Sequence, residues 1–267
     1  MEETDTAAPH WWERRGPVAF ALLVASWPVL RWYGVRLDDG GDEPWGLVAL
    51  VLALLLTPRR HAWSRLPGAA AGIAATLVIA AAIGSGALPM LARGMLVAAA
   101  VGIVLGGVRG AWGRAGLLAL SLPVTATLQF YAGYPLRVVT AELGRPLLAL
   151  AGVATERAGV VLVWAGGEVA VDAPCSGVRM LWTSGVLAGV LASLAGLNAT
   201  GTVCFGLAAL VLVIVGNALR AALLFFPEAG FWPASDAVHA AVGLVLFAGV
   251  CSGLAGLVRV FRAKEAR

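Results

Sequence analysis

Charged side chains are scarce in this chain of 267 residues, at 13% of the total, which is about half the share in an average soluble protein. A soluble chain would need charge on roughly a quarter to a third of its surface positions. The 60% share of hydrophobic residues and the mean hydropathy of +0.87 indicate lipid as the solvent. These figures exclude a soluble globular protein and a disordered chain.

Long basic runs are missing as well, although the net charge is +4. The basic residues are scattered along the chain and form no patch with interleaved aromatic residues. This distribution argues against nucleic acid as a partner.

Cysteine and histidine are rare, with three residues of each type. Cys175, Cys204 and Cys251 show no CxxC spacing and have no His at a metal-ligand spacing. The sequence therefore predicts no metal site, no disulfide framework and no soluble cofactor. Cys204 and Cys251 lie in long apolar runs, where a free Cys is commonly a small hydrophobic residue. Cys175 lies in a different setting.

Long apolar segments dominate what is present. About 20 apolar residues in a helix cross the hydrocarbon core of a bilayer. Eight segments approach that length: residues 17–33, 44–57, 67–83, 87–108, 115–132, 175–197, 201–226 and 236–260. The sequence predicts an all-α polytopic membrane protein with about eight transmembrane helices. The acidic leader, residues 1–13, is unlike a signal peptide, so we expect the first segment to stay as an anchor.

The placement of basic residues predicts the orientation of these spans. With the N-terminus in the cytoplasm, eleven of the 19 basic residues lie on the cytoplasmic side, and ten of the 15 acidic residues lie on the other side. An even number of spans then places both termini in the cytoplasm, with residues 261–267 as a basic tail. We expect a multi-pass protein of the cell (inner or plasma) membrane.

The long segment between the fifth and sixth spans, residues 133–174, is predicted to lie at the outer face. Residues 135–157 repeat apolar positions at helical spacing with Arg and Glu between them, which is typical of a short interfacial helix. Residues 160–171 are rich in β-branched residues around an Ala-Gly-Gly-Glu turn. They predict a β-hairpin that leads to Cys175.

Cys175 stands where the sixth apolar segment begins, directly after Pro174, a residue that favours a helix start. The first turn of a helix offers unpaired N–H groups and the positive end of the helix dipole, which stabilise a thiolate and could hold an oxyanion. Arg179, four residues on, would share the helix face and add positive potential. The alternative is a packed membrane cysteine with an interfacial Arg.

Arg220 lies about 9 Å from the outer end of the seventh segment, at 1.5 Å per residue, where a charge costs free energy. Asn217 shares its helix face. Because the last three segments alternate in direction, Cys175, Arg220 and His239 are predicted to meet at the outer face. They would supply the nucleophile, charge stabiliser and general acid/base of acyl transfer through a thioester. The alternatives are a snorkelling Arg220 and an ordinary interfacial His239.

Three motifs resemble those of the exosortase and archaeosortase family of membrane cysteine transpeptidases. They are residues 175–179 (CSGVR), residues 217–220 (NALR), and His239 followed by Gly243 and Phe247. The resemblance covers residues 115–260, including the stretch from Gln129 to Arg137, and this part is expected to be the catalytic membrane core. Residues 1–114 resemble the family in hydropathy alone and are expected to be a variable set of membrane spans.

The resemblance implies an enzyme that cleaves C-terminal sorting signals of exported, membrane-anchored proteins and transfers them to an envelope or surface acceptor. It implies Cys175 as nucleophile, His239 as acid/base and Arg220 as substrate or oxyanion stabiliser. Four further residues are implied in supporting or substrate-binding positions: Arg179, Asn217, Ser176 and Gln129. The implied partners are the tailed substrates, the acceptor and the lipid bilayer.

A function from another class remains open at this point. A small transporter or polymer-export subunit would use Arg93, Arg179 and Arg220 to line an anion path, and Cys175 would then be dispensable.

Overall fold

The computed structural model describes residues 14–38, 45–62, 64–106 and 109–265. The acidic leader and the last two residues of the expected basic tail lie outside these ranges. The described chain is mostly helical and divides into two units, Met1–Pro123 and Val124–Arg267. The sequence placed the start of the catalytic core at residue 115.

The N-terminal unit consists of short helices, because Pro and Gly interrupt its apolar sequence. They are α1 (Arg15–Ala25), α2 (Trp27–Arg36), α3 (Gly46–Leu55), α4 (Arg59–Ala62), α5 (Gly68–Ile83), α6 (Met90–Val104) and α7 (Ala111–Leu120). The first predicted span is broken, since α1 and α2 meet at an angle of 74°. Pro28 cannot donate to the preceding turn, and Ser26 Oγ donates to Leu22 O at 2.8 Å.

Two buried Arg side chains of this unit bind carbonyl oxygens near helix ends. Arg15 donates from Nη1 to Val104 O at 2.6 Å and to Gly106 O at 3.1 Å, where α6 ends. Arg93 donates from Nε to Ala81 O at 2.6 Å, in the last turn of α5. The last carbonyl groups of a helix have no partner within it, so these cations satisfy them and oppose the helix dipole.

The C-terminal unit combines long helices with a small sheet. Its elements are α8 (Thr125–Leu150), β1 (Glu156–Ala158), β2 (Val161–Trp164), β3 (Gly167–Ala170), α9 (Val178–Ala195), α10 (Ala199–Glu228) and α11 (Asp236–Glu265). The sheet is antiparallel in the order β1-β2-β3, and Trp164 pairs with Gly167 across the β2–β3 turn. A third strand, β1, therefore accompanies the two strands expected from the sequence.

The prediction of a separate interfacial helix over residues 135–157 is wrong. Residues 125–150 form one helix, α8, that continues through Pro135 and Pro146, and residues 156–158 are a strand. Each Pro removes one N–H donor and its ring crowds the carbonyl group four residues earlier, but the apolar residues keep their helical spacing through both positions. Arg157 Nε donates to Glu142 Oε2 at 2.7 Å, which ties β1 back to α8.

Among the residues that the structure describes, three helices, α9 to α11, are long and apolar enough to cross a membrane, and the number rises to five if α1 with α2 and α7 with α8 each form one span. Helices α3, α5 and α6 are apolar but shorter. The structure agrees with a multi-pass membrane protein, and the expected number of eight spans is not confirmed.

Two apolar clusters stabilise the C-terminal unit. The first joins α9, α10 and α11 through buried residues such as Phe205 and Leu254. The second joins α8, β2 and α10 through Leu148, Leu162 and Phe225, and Cys175 packs against it. The second cluster therefore anchors the segment that carries Cys175.

Candidate active site

Cys175 lies in a 3₁₀ turn, Ala173–Ser176, ahead of α9. Gly177 follows with a φ of +82°, and α9 begins at Val178. A residue with a side chain rarely adopts this φ, and a Cβ at this position would lie 2.7 Å from Asn217 Cγ. The expected place of Cys175 in the first turn of the sixth span is therefore wrong, because the backbone changes direction at Gly177.

This turn gives the Cys175 thiol a half-buried environment. Burial raises the pKa of the thiol, the Arg220 guanidinium lowers it, and the carboxylates of Asp172 and Glu228 raise it. The sum is a pKa above the ordinary value. The thiol is thus the resting form, and a nucleophilic Cys175 needs a base to take its proton.

Cys175, Arg220 and His239 line one pocket of about 340 Å³. They come from the 3₁₀ turn, from α10 and from the first turn of α11. The three residues predicted from the sequence to meet therefore do share a pocket, while their chemical roles stay predictions. Three further residues of the pocket lining carry carboxylates that were not selected from the sequence: Glu168 of β3, Asp172 and Glu228.

The guanidinium of Arg220 is partly buried and lies beside α11. Its Nε is buried and has no hydrogen-bond partner among the residues that the structure describes. A Cβ at Gly243 would lie 3.6 Å from this Nε, so the glycine sits directly against the guanidinium. An unpaired donor in a place with little water is where an oxyanion or a carboxylate gains most from a hydrogen bond.

His239 contacts a carboxylate that the sequence analysis missed. Its Nε2 lies 2.9 Å from Oε1 of Glu228, the last residue of α10, which also lines the pocket. A spacing of eight residues from Arg220 to Glu228 is about two helical turns, which places both on one face of α10. That spacing is the signal by which Glu228 could have been found.

Asn217 holds the backbone of the turn and is buried. Its Nδ2 donates to Cys175 O at 3.0 Å and to Thr140 Oγ1 at 2.9 Å. Ser176 Oγ donates to Gln129 Oε1 at 3.1 Å, which is a second tie between α8 and the turn. Asn217, Ser176 and Gln129 thus lie around the turn and do not line the pocket. Thr140 was not selected from the sequence.

Arg179 is exposed on α9 and does not line the pocket. The expected helical i,i+4 relation with Cys175 is wrong, since Gly177 interrupts the helix between them. Within the N-terminal unit, Arg93 is engaged with a carbonyl oxygen. Neither position favours the transport alternative, in which both would line an anion path with Arg220.

Comparison with models of known protein families gives a match over most of the chain. A family model described as transmembrane exosortase matches residues 11–256, nearly the whole chain. No curated protein and no solved structure matches at a significant level. The match includes the N-terminal helices, which the sequence analysis related to such proteins by hydropathy alone.

Proposed function

This chain belongs to the transmembrane exosortase family, and we propose that it is a membrane-embedded cysteine protease and transpeptidase. It cleaves the C-terminal sorting signal of a membrane-anchored, exported protein and transfers the new C-terminus to an envelope or surface acceptor. The observation that carries this proposal is the shared pocket of about 340 Å³ lined by Cys175, Arg220 and His239.

Acylation of Cys175 is the first half of the proposed reaction. His239 takes the thiol proton, and Sγ attacks the scissile carbonyl carbon to form a C–S bond. The carbonyl electrons move to oxygen, and Arg220 donates hydrogen bonds to the resulting oxyanion. When the oxyanion collapses, the C–N bond breaks and the protonated His239 gives its proton to the leaving amine. The products are a thioester on Cys175 and the released C-terminal sorting signal.

Transfer to the acceptor is the second half. An acceptor amine attacks the thioester carbon and loses a proton to His239, the C–S bond breaks, and the Cys175 thiolate takes the proton back. The raised pKa of Cys175 favours this return of the proton. If water attacks in place of the amine, the thioester is hydrolysed. Transfer therefore requires the acceptor to attack the thioester faster than water does.

The position of the pocket suits a substrate that is itself held in the bilayer. It is lined by residues near the end of α10 and the start of α11, two helices long enough to cross a membrane. Because a tailed substrate diffuses in the same bilayer, its cleavage site would meet the pocket at the membrane surface. From the distribution of basic residues, we place this surface on the outer side and both termini in the cytoplasm.

Co-expression with a tailed envelope protein tests the proposal. Cys175→Ala should abolish processing at unchanged expression, whereas Cys204→Ala, on the exposed side of α10, should process normally. A thioester between Cys175 and a substrate fragment, identified by mass spectrometry, would establish the reaction class. Normal processing by Cys175→Ala would overturn the proposal.

A further inference from the structure

The end of α10 and the first turn of α11 bring a carboxylate and an imidazole together beside Cys175. Oε1 of Glu228 lies 2.9 Å from Nε2 of His239, and both residues line the pocket. We propose that Glu228 is a positioning residue that fixes the orientation and tautomer of the His239 ring and stabilises its protonated form. This inference rests on the proposed function, because it assigns a role to Glu228 in that same reaction.

The fold holds the two side chains at facing helix ends. The connecting residues 229–235 are fixed by the Phe231 N–H, which donates to Phe226 O at 2.9 Å. The Phe231 ring packs on Trp164 of β2 with centroids 4.9 Å apart, and Trp232 stacks on Phe226 with centroids 5.0 Å apart. Because aromatic packing ties this connection to the sheet, the contact between Glu228 and His239 is set by the fold, although both side chains are partly exposed.

Several other charged or titratable groups surround His239. Those that line its pocket are Glu168 from β3, Asp172 and Cys175 from the turn, and Arg220 from α10, while Asp236 lies on α11 itself. In the part of the chain that the structure describes, the carboxylate within 4.0 Å of a ring nitrogen is that of Glu228. Glu228 is therefore the group that acts directly on the ring.

The contact also decides which ring nitrogen carries the exchangeable proton. A carboxylate accepts hydrogen bonds only, so it favours the tautomer with a proton on Nε2 and leaves Nδ1 as the basic nitrogen. Nδ1 lies 3.4 Å from Ser235 O, a distance that is too long for a strong hydrogen bond. When Nδ1 takes the thiol proton, the ring becomes a cation and the carboxylate offsets its charge.

Two substitutions of the full-length protein in membranes separate charge from shape. Glu228→Gln keeps the size and an acceptor oxygen but removes the charge, and we expect it to lower kcat about tenfold. Glu228→Ala removes the acceptor as well and should lower kcat about a hundredfold.

The matched control is Glu156→Gln on β1. This change removes an exposed carboxylate that lies on the small sheet and does not line the pocket. We expect wild-type kcat from it. Equal kcat values in wild type and both Glu228 variants would overturn the role of Glu228.

A second measurement does not depend on activity. The chain has three His residues, so ¹⁵N-histidine spectra of the full-length protein in nanodiscs are simple, and His239→Gln assigns the signal. We expect the Nε2–H tautomer for the neutral ring in wild type and a mixture of tautomers in Glu228→Ala. An unchanged tautomer would overturn the inference even in an active enzyme. A wild type that processes no substrate, with the expected spectra, would instead overturn the proposed function.

Discussion

Both units of this protein contain arginine side chains with buried nitrogen atoms, but the hydrogen-bond partners of these atoms differ between the units. In the N-terminal unit, Arg15 and Arg93 donate to backbone carbonyl oxygens at 2.6 Å, which satisfies the guanidinium and the helix end together. In the C-terminal unit, Arg220 keeps a buried Nε without a described partner, in the pocket of Cys175 and His239. The difference supports a structural role for the first two residues and a substrate-binding role for Arg220.

An unpaired guanidinium nitrogen alone does not indicate a site. Arg114 of the N-terminal unit is also buried, and its Nε and Nη2 have no partner in the described chain. It lines a cavity of about 10 Å³ whose other lining residues are apolar, apart from Thr57. A cavity of that size holds about one water molecule. Volume and a neighbouring thiol and imidazole are what set Arg220 apart.

The sharpest test of this comparison is to remove one arginine from each unit. Arg220→Gln should reduce the rate of substrate processing about 10²- to 10³-fold, the usual effect of losing one oxyanion donor. The rate is measured per mole of folded protein, with a tailed substrate in the same membranes.

Arg93→Gln is the matched change in the N-terminal unit. It leaves Ala81 O without its 2.6 Å donor, so we expect a loss of about 1–3 kcal/mol in the free energy of unfolding and an unchanged rate per folded molecule. Thermal unfolding in detergent measures the first quantity. A large loss of rate with Arg93→Gln, or a normal rate with Arg220→Gln, would contradict the comparison.

A smaller effect is expected from the glycine behind Cys175. Gly177→Ala must hold a φ of +82° and place a methyl group 2.7 Å from Asn217 Cγ, so both the turn and Asn217 have to shift. We expect about 1–3 kcal/mol of destabilisation and a slower reaction, because Asn217 also binds Cys175 O.

Gly206→Ala on α10 is the control for that change. A Cβ there would meet no atom within 4 Å, and alanine is the better helix former. Stability should be unchanged or raised by up to about 1 kcal/mol. Equal stability of the two variants would mean that the turn tolerates a side chain.

Sequence patterns predicted the meeting of Cys175, Arg220 and His239, because the direction of successive spans alternates and their depth follows from segment ends. They could not place Cys175 outside the helix, since the φ of Gly177 depends on its packing against Asn217. Thr140 lies 77 residues from its partner Asn217, and a contact at that separation leaves no local pattern.

The continuation of α8 through two prolines was missed for a related reason. Proline is read locally as a helix end, but Ala141 and Leu148 pack in the apolar cluster with β2 and α10, which stabilises α8 beyond Pro135. Local signals therefore predicted which residues share the pocket more accurately than they predicted the backbone that supports it.

The smallest expected effect concerns the thiol itself, measured as the pH dependence of Cys175 alkylation in a Cys204→Ser, Cys251→Ser background. Burial raises the pKa of Cys175, Arg220 lowers it and Asp172 raises it. Arg220→Gln removes a cation that favours the thiolate, so alkylation should need a higher pH. Asp172→Asn removes an anion that disfavours the thiolate, so alkylation should begin at a lower pH. Arg93→Gln should leave the alkylation curve in place. Equal curves for all three variants would show that burial alone sets the pKa of the thiol.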